Sequence, residues 1–120
     1  MITDPKLTAA IFGRLFNAGD AAGLLALYEA DALFVTPDGQ EVRGIANIGP
    51  VIEAFLAMKA TMTIELRSCH VQGDIASISN TWTLTGGGAP PDFAGKTIEV
   101  LRRQADGSWR YIIDLPAGAS

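Results

Sequence analysis

The sequence is poor in cysteine, histidine and charge: its 120 residues include one cysteine, one histidine and 18% charged residues. The lone cysteine, Cys69, cannot form an internal disulfide, so the fold must rely on its apolar core. Basic residues are also scarce, with nine against thirteen acidic ones and a net charge of -4. That charge has the wrong sign for neutralising phosphates, so we expect neither nucleic acids nor anionic membranes as partners.

Long apolar runs are absent as well. None approaches the roughly 20 residues that a helix needs to span a bilayer. The first residues, MITDPKLTAA, lack the basic segment and apolar core of a signal peptide, so we expect a cytoplasmic protein. Hydrophobic residues make up 48% of the chain, which is enough for one core. No repeat or linker divides the chain, and we predict a single domain over residues 1–120.

Helical spacing dominates the first half of the chain. Asp4-Pro5 is typical of a helix start, and apolar residues then recur every four positions. A second helix is predicted after Asp20, with Tyr28 at the end of its apolar stripe. A small hairpin around Pro37-Asp38-Gly39 leads into a third helix, which is predicted to end near Lys59.

The second half alternates apolar and polar residues, which is typical of half-buried strands. A first hairpin is predicted with a three-residue loop, Gln72-Gly73-Asp74, so that Val71 pairs with Ile75. This loop also pairs Ile64 with Trp82 and puts the apolar residues of both strands on one face. A two-residue loop would separate those faces and is rejected.

A last hairpin is predicted from residues 96–104 and 108–115, with a two-residue type I′ turn at Asp106-Gly107. The segment 86–91, which begins with three glycines, is predicted as a loop. The element order therefore predicts an α+β domain with its helices on one face of a curved antiparallel sheet.

Short motifs occur in a characteristic order along nearly the whole chain. They are Gly19-Asp20, Leu27-Tyr28, Asp31-Ala32, Pro37-Asp38-Gly39, Gly44, Gly73-Asp74-Ile75-Ala76 before Trp82, and Asp106-Gly107-Ser108-Trp109-Arg110 before Asp114. In this order they resemble the nuclear transport factor 2-like superfamily, which includes ketosteroid isomerases and SnoaL-like polyketide cyclases. The resemblance implies a cone-shaped α+β barrel, with three N-terminal helices packed on a curved, mostly antiparallel sheet. It also implies a deep pocket and, commonly, a homodimer, but no single activity.

Ketosteroid isomerase chemistry does not carry over to this chain. The resemblance implies a carboxylate base, a tyrosine hydroxyl and a protonated aspartic acid that stabilises the developing oxyanion. The matching positions hold Thr36, Phe12 and, near the third position, Glu99. Two of the three roles are lost, so we do not expect a ketosteroid isomerase.

Two acidic residues are the main catalytic candidates. The predicted last hairpin puts Glu99 directly opposite Asp114. If both carboxyl groups are buried, they share one proton and one pKa rises, as general acid–base catalysis requires. The alternative is a solvated pair next to arginine side chains. Strand alternation argues against burial, because Trp109, Tyr111 and Ile113 form the more apolar face and Asp114 opposes them. Only a β-bulge, or a sheet buried on both faces, would bring Asp114 inside.

His70 is an auxiliary candidate, since histidine has the only side chain with an unperturbed pKa near neutrality. It shares a predicted strand face with Met62, Ile64 and Leu66, and would project towards the cavity if that face lines it. The alternative is a hydrogen-bonded histidine at a strand end. No metal site is expected, because Cys69 and His70 point to opposite faces of one strand.

Four further residues are candidates for the wall of a pocket. Asn80 is a polar residue on an apolar strand face, and its buried amide needs partners from the protein or from a ligand. Tyr28, Phe55 and Trp82 could surround a flat ring, although aromatic residues at such spacing also form ordinary cores.

The sequence therefore predicts a small-molecule-binding domain of SnoaL-like type with a mostly apolar conical pocket for a small apolar or ring-containing molecule. Catalysis would need no cofactor, with Asp114 and Glu99 as the acid–base pair and His70 as auxiliary. The reaction class would be isomerisation, cyclisation or hydration. The alternative is a non-catalytic dimeric binding or assembly module.

Overall fold

Three α-helices pack on a mixed sheet of seven strands in the part of the chain that the structure describes. The structure is a computed structural model that describes residues 1–118. A short 3₁₀ helix, Pro5–Leu7, precedes α1 (Thr8–Asn17) and α2 (Ala21–Leu25), and α3 (Ile45–Ala57) lies further on. The strands are β1 (Tyr28–Val35), β2 (Glu41–Arg43), β3 (Thr61–Gln72), β4 (Ile75–Thr85), β5 (Phe93–Lys96), β6 (Ile98–Arg103) and β7 (Trp109–Leu115).

Acidic residues begin the first two helical segments, as the sequence predicts. The backbone N–H of Lys6 donates to Asp4 Oδ1 at 2.9 Å, and that of Gly23 donates to Asp20 Oδ1 at 2.8 Å. The predicted extent of the second helix is wrong, because α2 ends at Leu25 and Tyr28 begins β1. Pairing of β1 with β7 outweighs the local helical pattern at this point.

The strand order is β2-β1-β7-β6-β4-β3, and β5 also pairs with β4. The β1–β7 pair is parallel and the other pairs are antiparallel. Within residues 1–118 the edge strands β2 and β3 do not pair with each other, so the barrel is open. The predicted α+β class, with three helices packed on a curved and mostly antiparallel sheet, is confirmed.

The β3–β4 hairpin differs from the prediction at its turn. Gln72 pairs with Ile75, so the loop has two residues, Gly73 and Asp74, and the predicted Val71–Ile75 pair is wrong. A β-bulge at Arg67 then shifts the register by one residue. Because of this bulge, Ile64 still pairs with Trp82, as predicted.

The β6–β7 hairpin also differs from the prediction at its turn, which is one residue longer than predicted. Its loop has three residues, Ala105 to Gly107, and only Gly107 has a positive φ, of 85°, whereas a type I′ turn needs two such residues. The predicted type I′ turn is therefore wrong. A bulge at Ile112 shifts the register again, so the predicted pair of Glu99 with Asp114 is present.

The loop predicted over 86–91 is confirmed, and the following strand pairing begins at Phe93, three residues earlier than expected. Among residues 1–118, no helix is both long and apolar enough to cross a membrane.

Candidate functional site

The helices and the inner face of the sheet line a cavity of about 60 Å³. One water needs about 10 to 15 Å³, so there is room for about four to six waters. Polar side chains lie on one side only, on β6, β7 and the residue before β6: Thr97, Glu99, Tyr111 and Asp114. The rest of the wall is Phe12, Phe16, Leu24, Phe34, Ile52, Phe55, Met62, Ile64, Trp82, Leu84 and Pro116.

The bulge at Ile112 brings Asp114 into this cavity. Trp109 and Tyr111 face the core, and simple alternation would turn Asp114 outward. The extra residue resets the alternation, so Tyr111 and Asp114 both face inward. Glu99 lies directly across from Asp114, and the two acids are only 3% and 5% exposed. The alternative of a solvated acidic pair is therefore wrong.

Each acid accepts a hydrogen bond from a neutral side chain on a different strand. The Tyr28 hydroxyl donates to Asp114 Oδ2 at 2.5 Å, across 86 positions of sequence. The Asn80 side chain donates through Nδ2 to Glu99 Oε2 at 3.1 Å. Among residues 1–118, Glu99 Oε1 and Asn80 Oδ1 are buried and have no hydrogen-bond partner.

Burial raises the pKa of both acids. Loss of water raises the pKa of Glu99 to about 8, with the neighbouring Asp114 charge as the second cause and three hydrogen-bonding side chains opposing. Burial likewise raises the pKa of Asp114 to about 6, and the hydrogen bond from Tyr28 opposes that increase. Two acids this close titrate as a unit, so the pair holds one proton near neutral pH, and the hydrogen bond from Tyr28 favours the ionised form of Asp114.

This arrangement can accept one proton and donate another within the same cavity. Cross-strand partners have Cβ atoms roughly 4.5 to 5.5 Å apart, so one small molecule can contact both carboxyl groups. An ionised carboxylate is a general base, and a neutral carboxylic acid is a general acid or hydrogen-bond donor. Among the described residues, no basic side chain lines the cavity.

Aromatic rings form much of the opposite wall. Trp82 is anchored by its indole N–H, which donates to the Pro116 carbonyl at 2.8 Å. The Phe93 ring meets Trp82 edge-on, with centroids 5.2 Å apart, and stacks on Phe55 at 6.4 Å. These contacts fix the rings that a ligand would meet.

The predicted orientation of His70 is wrong. It pairs with Ser77, and both side chains are exposed, outside the cavity. The cause is the bulge at Arg67, which reverses the alternation of β3 beyond Leu66. Cys69, which would otherwise face outward, is partly buried and packs on the core.

The structure divides the four predicted wall residues into two pairs. Trp82 and Phe55 lie on the cavity wall. Tyr28 and Asn80 are fully buried but lie outside the wall, where they contact the two acids. Their predicted direct contact with a ligand is therefore replaced by contact with Asp114 and Glu99.

Sequence reasoning missed two polar wall residues, Thr97 and Tyr111. Tyr111 lies within an apolar run, and its position in the sequence is that of an ordinary core residue. Thr97 sits between β5 and β6, where its hydroxyl accepts from the Asn80 backbone N–H at 2.8 Å. No local pattern marks that position. The described residues contain no group of three or more His, Cys, Asp or Glu side chains that could hold a metal ion.

Solved structures with this fold cover nearly the whole chain. A candidate calcium/calmodulin-dependent protein kinase type II association domain from Thiobacillus denitrificans is 20% identical, with 97% of each chain covered and a TM-score of 0.79. A ketosteroid isomerase-like protein from Erwinia carotovora atroseptica is 18% identical, with 93% of this chain and 95% of that one covered and a TM-score of 0.70. A candidate dehydratase of the nuclear transport factor 2-like family from Streptomyces avermitilis is 20% identical, with coverages of 92% and 89% and a TM-score of 0.72.

These neighbours confirm the nuclear transport factor 2-like fold that the sequence motifs indicate. The chain belongs to the SnoaL-like domain family, whose model matches residues 9–112. No curated protein sequence matches the chain significantly.

Proposed function

We propose that this SnoaL-like domain binds a small, neutral, ring-containing molecule and transfers protons on it without a cofactor. The observation that carries the proposal is the buried pair of Glu99 and Asp114 on the wall of an otherwise apolar cavity. Buried acids with raised pKa values are typical of acid–base sites. Membership of a family with isomerase-like and dehydratase-like structural neighbours supports the same reaction class.

In the proposed reaction the two acids have different roles. The ionised Asp114 accepts a proton from a C–H next to a ligand carbonyl, while Glu99 donates its proton to the carbonyl oxygen, and an enol forms. In a β,γ-unsaturated ketone the dienol then takes the proton from Asp114 at its γ carbon and returns its hydroxyl proton to Glu99, so the double bond moves into conjugation with no net gain or loss of protons. An enol is likewise the carbon nucleophile of an aldol-type cyclisation, and it is the species that forms when water adds to a conjugated double bond.

Ligand size and charge follow from the cavity. At about 60 Å³ the cavity is much smaller than the roughly 300 to 1,000 Å³ of typical ligand sites, so we expect a ligand no larger than a single ring, and the apolar wall favours carbon and hydrogen over further polar groups. A carboxylate ligand would bury a second negative charge beside Asp114, and no described wall residue carries a positive charge to offset it. We therefore expect cyclohexanone to bind and benzoate not to bind.

The test measures binding and chemistry separately. Cyclohexanone should raise the thermal unfolding midpoint of the wild type in a dose-dependent way. In D₂O the wild type should also speed exchange of the cyclohexanone α C–H for deuterium, followed by proton NMR. Asp114→Asn should lower this protein-dependent rate roughly 10²- to 10⁴-fold, the usual contribution of a general base.

Glu65→Gln is the matched control, because it removes an exposed carboxylate on β3 away from the cavity and should leave the exchange rate unchanged. Equal exchange rates in the wild type and in Asp114→Asn would eliminate the catalytic role. Absence of binding by cyclohexanone and by substituted cyclohexanones would eliminate the proposed ligand class.

A non-catalytic dimeric binding or assembly module is the second candidate. Similarity to a candidate association domain supports it, as do Ile75 and Ile98, each 38% exposed on the outer face of the sheet. The homodimer implied by the family resemblance stays a prediction. This candidate predicts no deuterium exchange even where a ring compound binds.

A further inference from the structure

We propose that the Phe16 ring sets the size limit of the ligand, because it separates the cavity from a larger pocket at the surface. Phe16 lines both spaces, and among the described residues no other side chain does so. The inference rests on the proposed function and deepens it, since it identifies the residue that restricts the ligand to a single ring.

The second space, the outer pocket, lies where α1 and α3 end and β3 begins. Its wall consists of residues 16–19, 56–57 and 59–61. Its volume is about 430 Å³, against about 60 Å³ for the cavity that holds the two acids. Typical ligand sites have roughly 300 to 1,000 Å³, so the outer pocket is large enough to receive a second ring.

The two spaces lie one layer of side chains apart. On α3, Phe55 lines the cavity, and the next residue, Leu56, lines the outer pocket. On β3, Met62 lines the cavity and Thr61 lines the outer pocket, as expected for neighbouring strand residues that face opposite sides. On α1 the separating layer is the Phe16 ring itself.

Packing and hydrogen bonds hold the Phe16 ring in this position. Phe16 is 5% exposed, and its ring stacks on Phe12 with centroids 6.5 Å apart. Phe12 in turn meets Tyr111 edge-on at 6.3 Å. The next residue, Asn17, joins α1 to β3, because its side chain donates to the Met62 carbonyl at 2.9 Å and accepts from the Met62 N–H at 2.8 Å. The end of α1 is therefore fixed against β3.

Loss of the Phe16 ring would join the two spaces. A truncated core side chain leaves a gap that its neighbours fill only in part. The acids lie on β6 and β7, whereas the outer pocket is bordered by α1, α3 and β3. A ligand with its carbonyl at the acids could then extend its other end into the outer pocket.

The experiment compares cyclohexanone with 4-phenylcyclohexanone, which carries a second ring opposite its carbonyl. The wild type should bind cyclohexanone and exclude the larger ketone. In Phe16→Ala the affinity for 4-phenylcyclohexanone relative to cyclohexanone should rise at least about tenfold, measured by proton NMR titration. Even one methylene group in an apolar pocket changes discrimination by about that factor. A ratio equal to that of the wild type would overturn the proposal.

Phe34→Ala is the matched control. It removes the same ring from the cavity wall, but Phe34 lies on β1 and does not line the outer pocket. The affinity ratio of this variant should stay at its wild-type value. An equal gain in Phe34→Ala and Phe16→Ala would mean that any added space admits the larger ketone, and it would overturn the role of Phe16.

A second measurement needs no ketone. Trp82 lines the cavity and is 6% exposed. Quenching of its fluorescence by acrylamide should increase in Phe16→Ala, because the quencher can enter through the outer pocket, and should stay unchanged in Phe34→Ala. Trp109→Phe in all three proteins removes the other tryptophan.

Unchanged quenching in Phe16→Ala would overturn the proposal. Failure of cyclohexanone to bind the wild type would count against the proposed function alone, because the quenching measurement is independent of binding. Phe16→Leu replaces Phe16→Ala if that variant does not fold, and it should give a smaller increase in both the affinity ratio and the quenching.

Discussion

At the scale of single residues, the hydrogen bond from Tyr28 stabilises the ionised form of the buried Asp114. Both acids are buried, and burial alone raises both pKa values. The Tyr28 hydroxyl donates to Asp114 Oδ2 at 2.5 Å and so stabilises its ionised form. The pKa of Asp114 is about 6, and that of Glu99 reaches about 8 because burial and then the neighbouring Asp114 charge raise it.

Tyr28→Phe should therefore raise the pKa of Asp114 above its wild-type value, because burial remains and the donor is lost. The variant should also unfold more easily, by about 1 to 3 kcal/mol, because a buried carboxyl oxygen loses its partner. Carboxyl ¹³C NMR titration and urea unfolding measure the two effects. Tyr111→Phe is the matched control on β7 and should raise the pKa of Glu99 instead, since the Tyr111 hydroxyl lowers it. An Asp114 pKa that stays at its wild-type value in Tyr28→Phe would contradict the assignment.

The sequence predicts one half of this site better than the other. Glu99 and Asp114 lie on neighbouring strands of one hairpin, so their pairing could be predicted locally, although it is present only because the bulge at Ile112 compensates for the longer turn. Tyr28 meets Asp114 through the parallel β1–β7 pair, which joins positions 86 residues apart. No local pattern encodes such a contact, and the local pattern around Tyr28 favoured a helix.

At the scale of elements, a β-bulge in each of the two long hairpins compensates for a turn of unexpected length. In each, the predicted turn differs from the observed turn by one residue, and a bulge within the strands restores the predicted pairing further along. In the β3–β4 hairpin the shift keeps Ile64 opposite Trp82, whereas in β7 it turns Asp114 inward against the apolar alternation. The bulges at Arg67 and Ile112 have no clear sequence signal, which is why the orientations of His70 and Asp114 could not be predicted.

The glycine-rich loop gives a prediction at the same scale. Gly87 has a φ of 52°, and a Cβ there would overlap the backbone carbonyl oxygens of Met58 and Lys59 at the end of α3. Gly73 has a similar φ of 60° but open space around it. Gly73→Ala should lower the free energy of unfolding by about 1 to 2 kcal/mol, the cost of the left-handed conformation. Gly87→Ala should lower it by about 1 to 3 kcal/mol more, because the loop must move away from α3.

Urea unfolding of the two variants measures this difference directly. Equal losses would mean that the loop does not pack tightly on the end of α3. Because Gly88 N–H also donates to the Met58 carbonyl at 2.6 Å, we expect the larger loss in Gly87→Ala.

At the scale of the whole molecule, the order of helices and strands follows from periodicity and turn residues, and it was sufficient to predict the α+β class. The cavity could not be predicted in the same way. Its walls combine all three helices with β1, β3, β4, β6 and β7, so its size depends on how the sheet curves and where the helices rest on it. Aromatic residues such as Phe55 and Trp82 have the same spacing whether they fill a core or line a pocket.

The buried acids make the stability of the whole molecule depend on pH. In the unfolded chain Glu99 loses its proton near pH 4.5, whereas in the folded chain it retains it up to about pH 8. Asp114 behaves likewise, with a pKa of 3.8 in the unfolded chain and about 6 in the folded chain. The unfolded state therefore binds fewer protons than the folded state in this window, and the free energy of unfolding falls as pH rises.

Urea unfolding between pH 4.5 and 8 should show this decrease in the wild type, on the order of a few kcal/mol. Glu99→Gln should flatten most of it, because the amide stays neutral in both states, and Asp114→Asn should flatten the lower part of the range. Glu65→Gln, which removes an exposed carboxylate, should leave the decrease unchanged. A free energy of unfolding that stays constant from pH 4.5 to 8 would contradict this prediction. It would mean that the two acids ionise as freely in the folded protein as in water. The cavity would then lack the protonated group that acid–base chemistry needs.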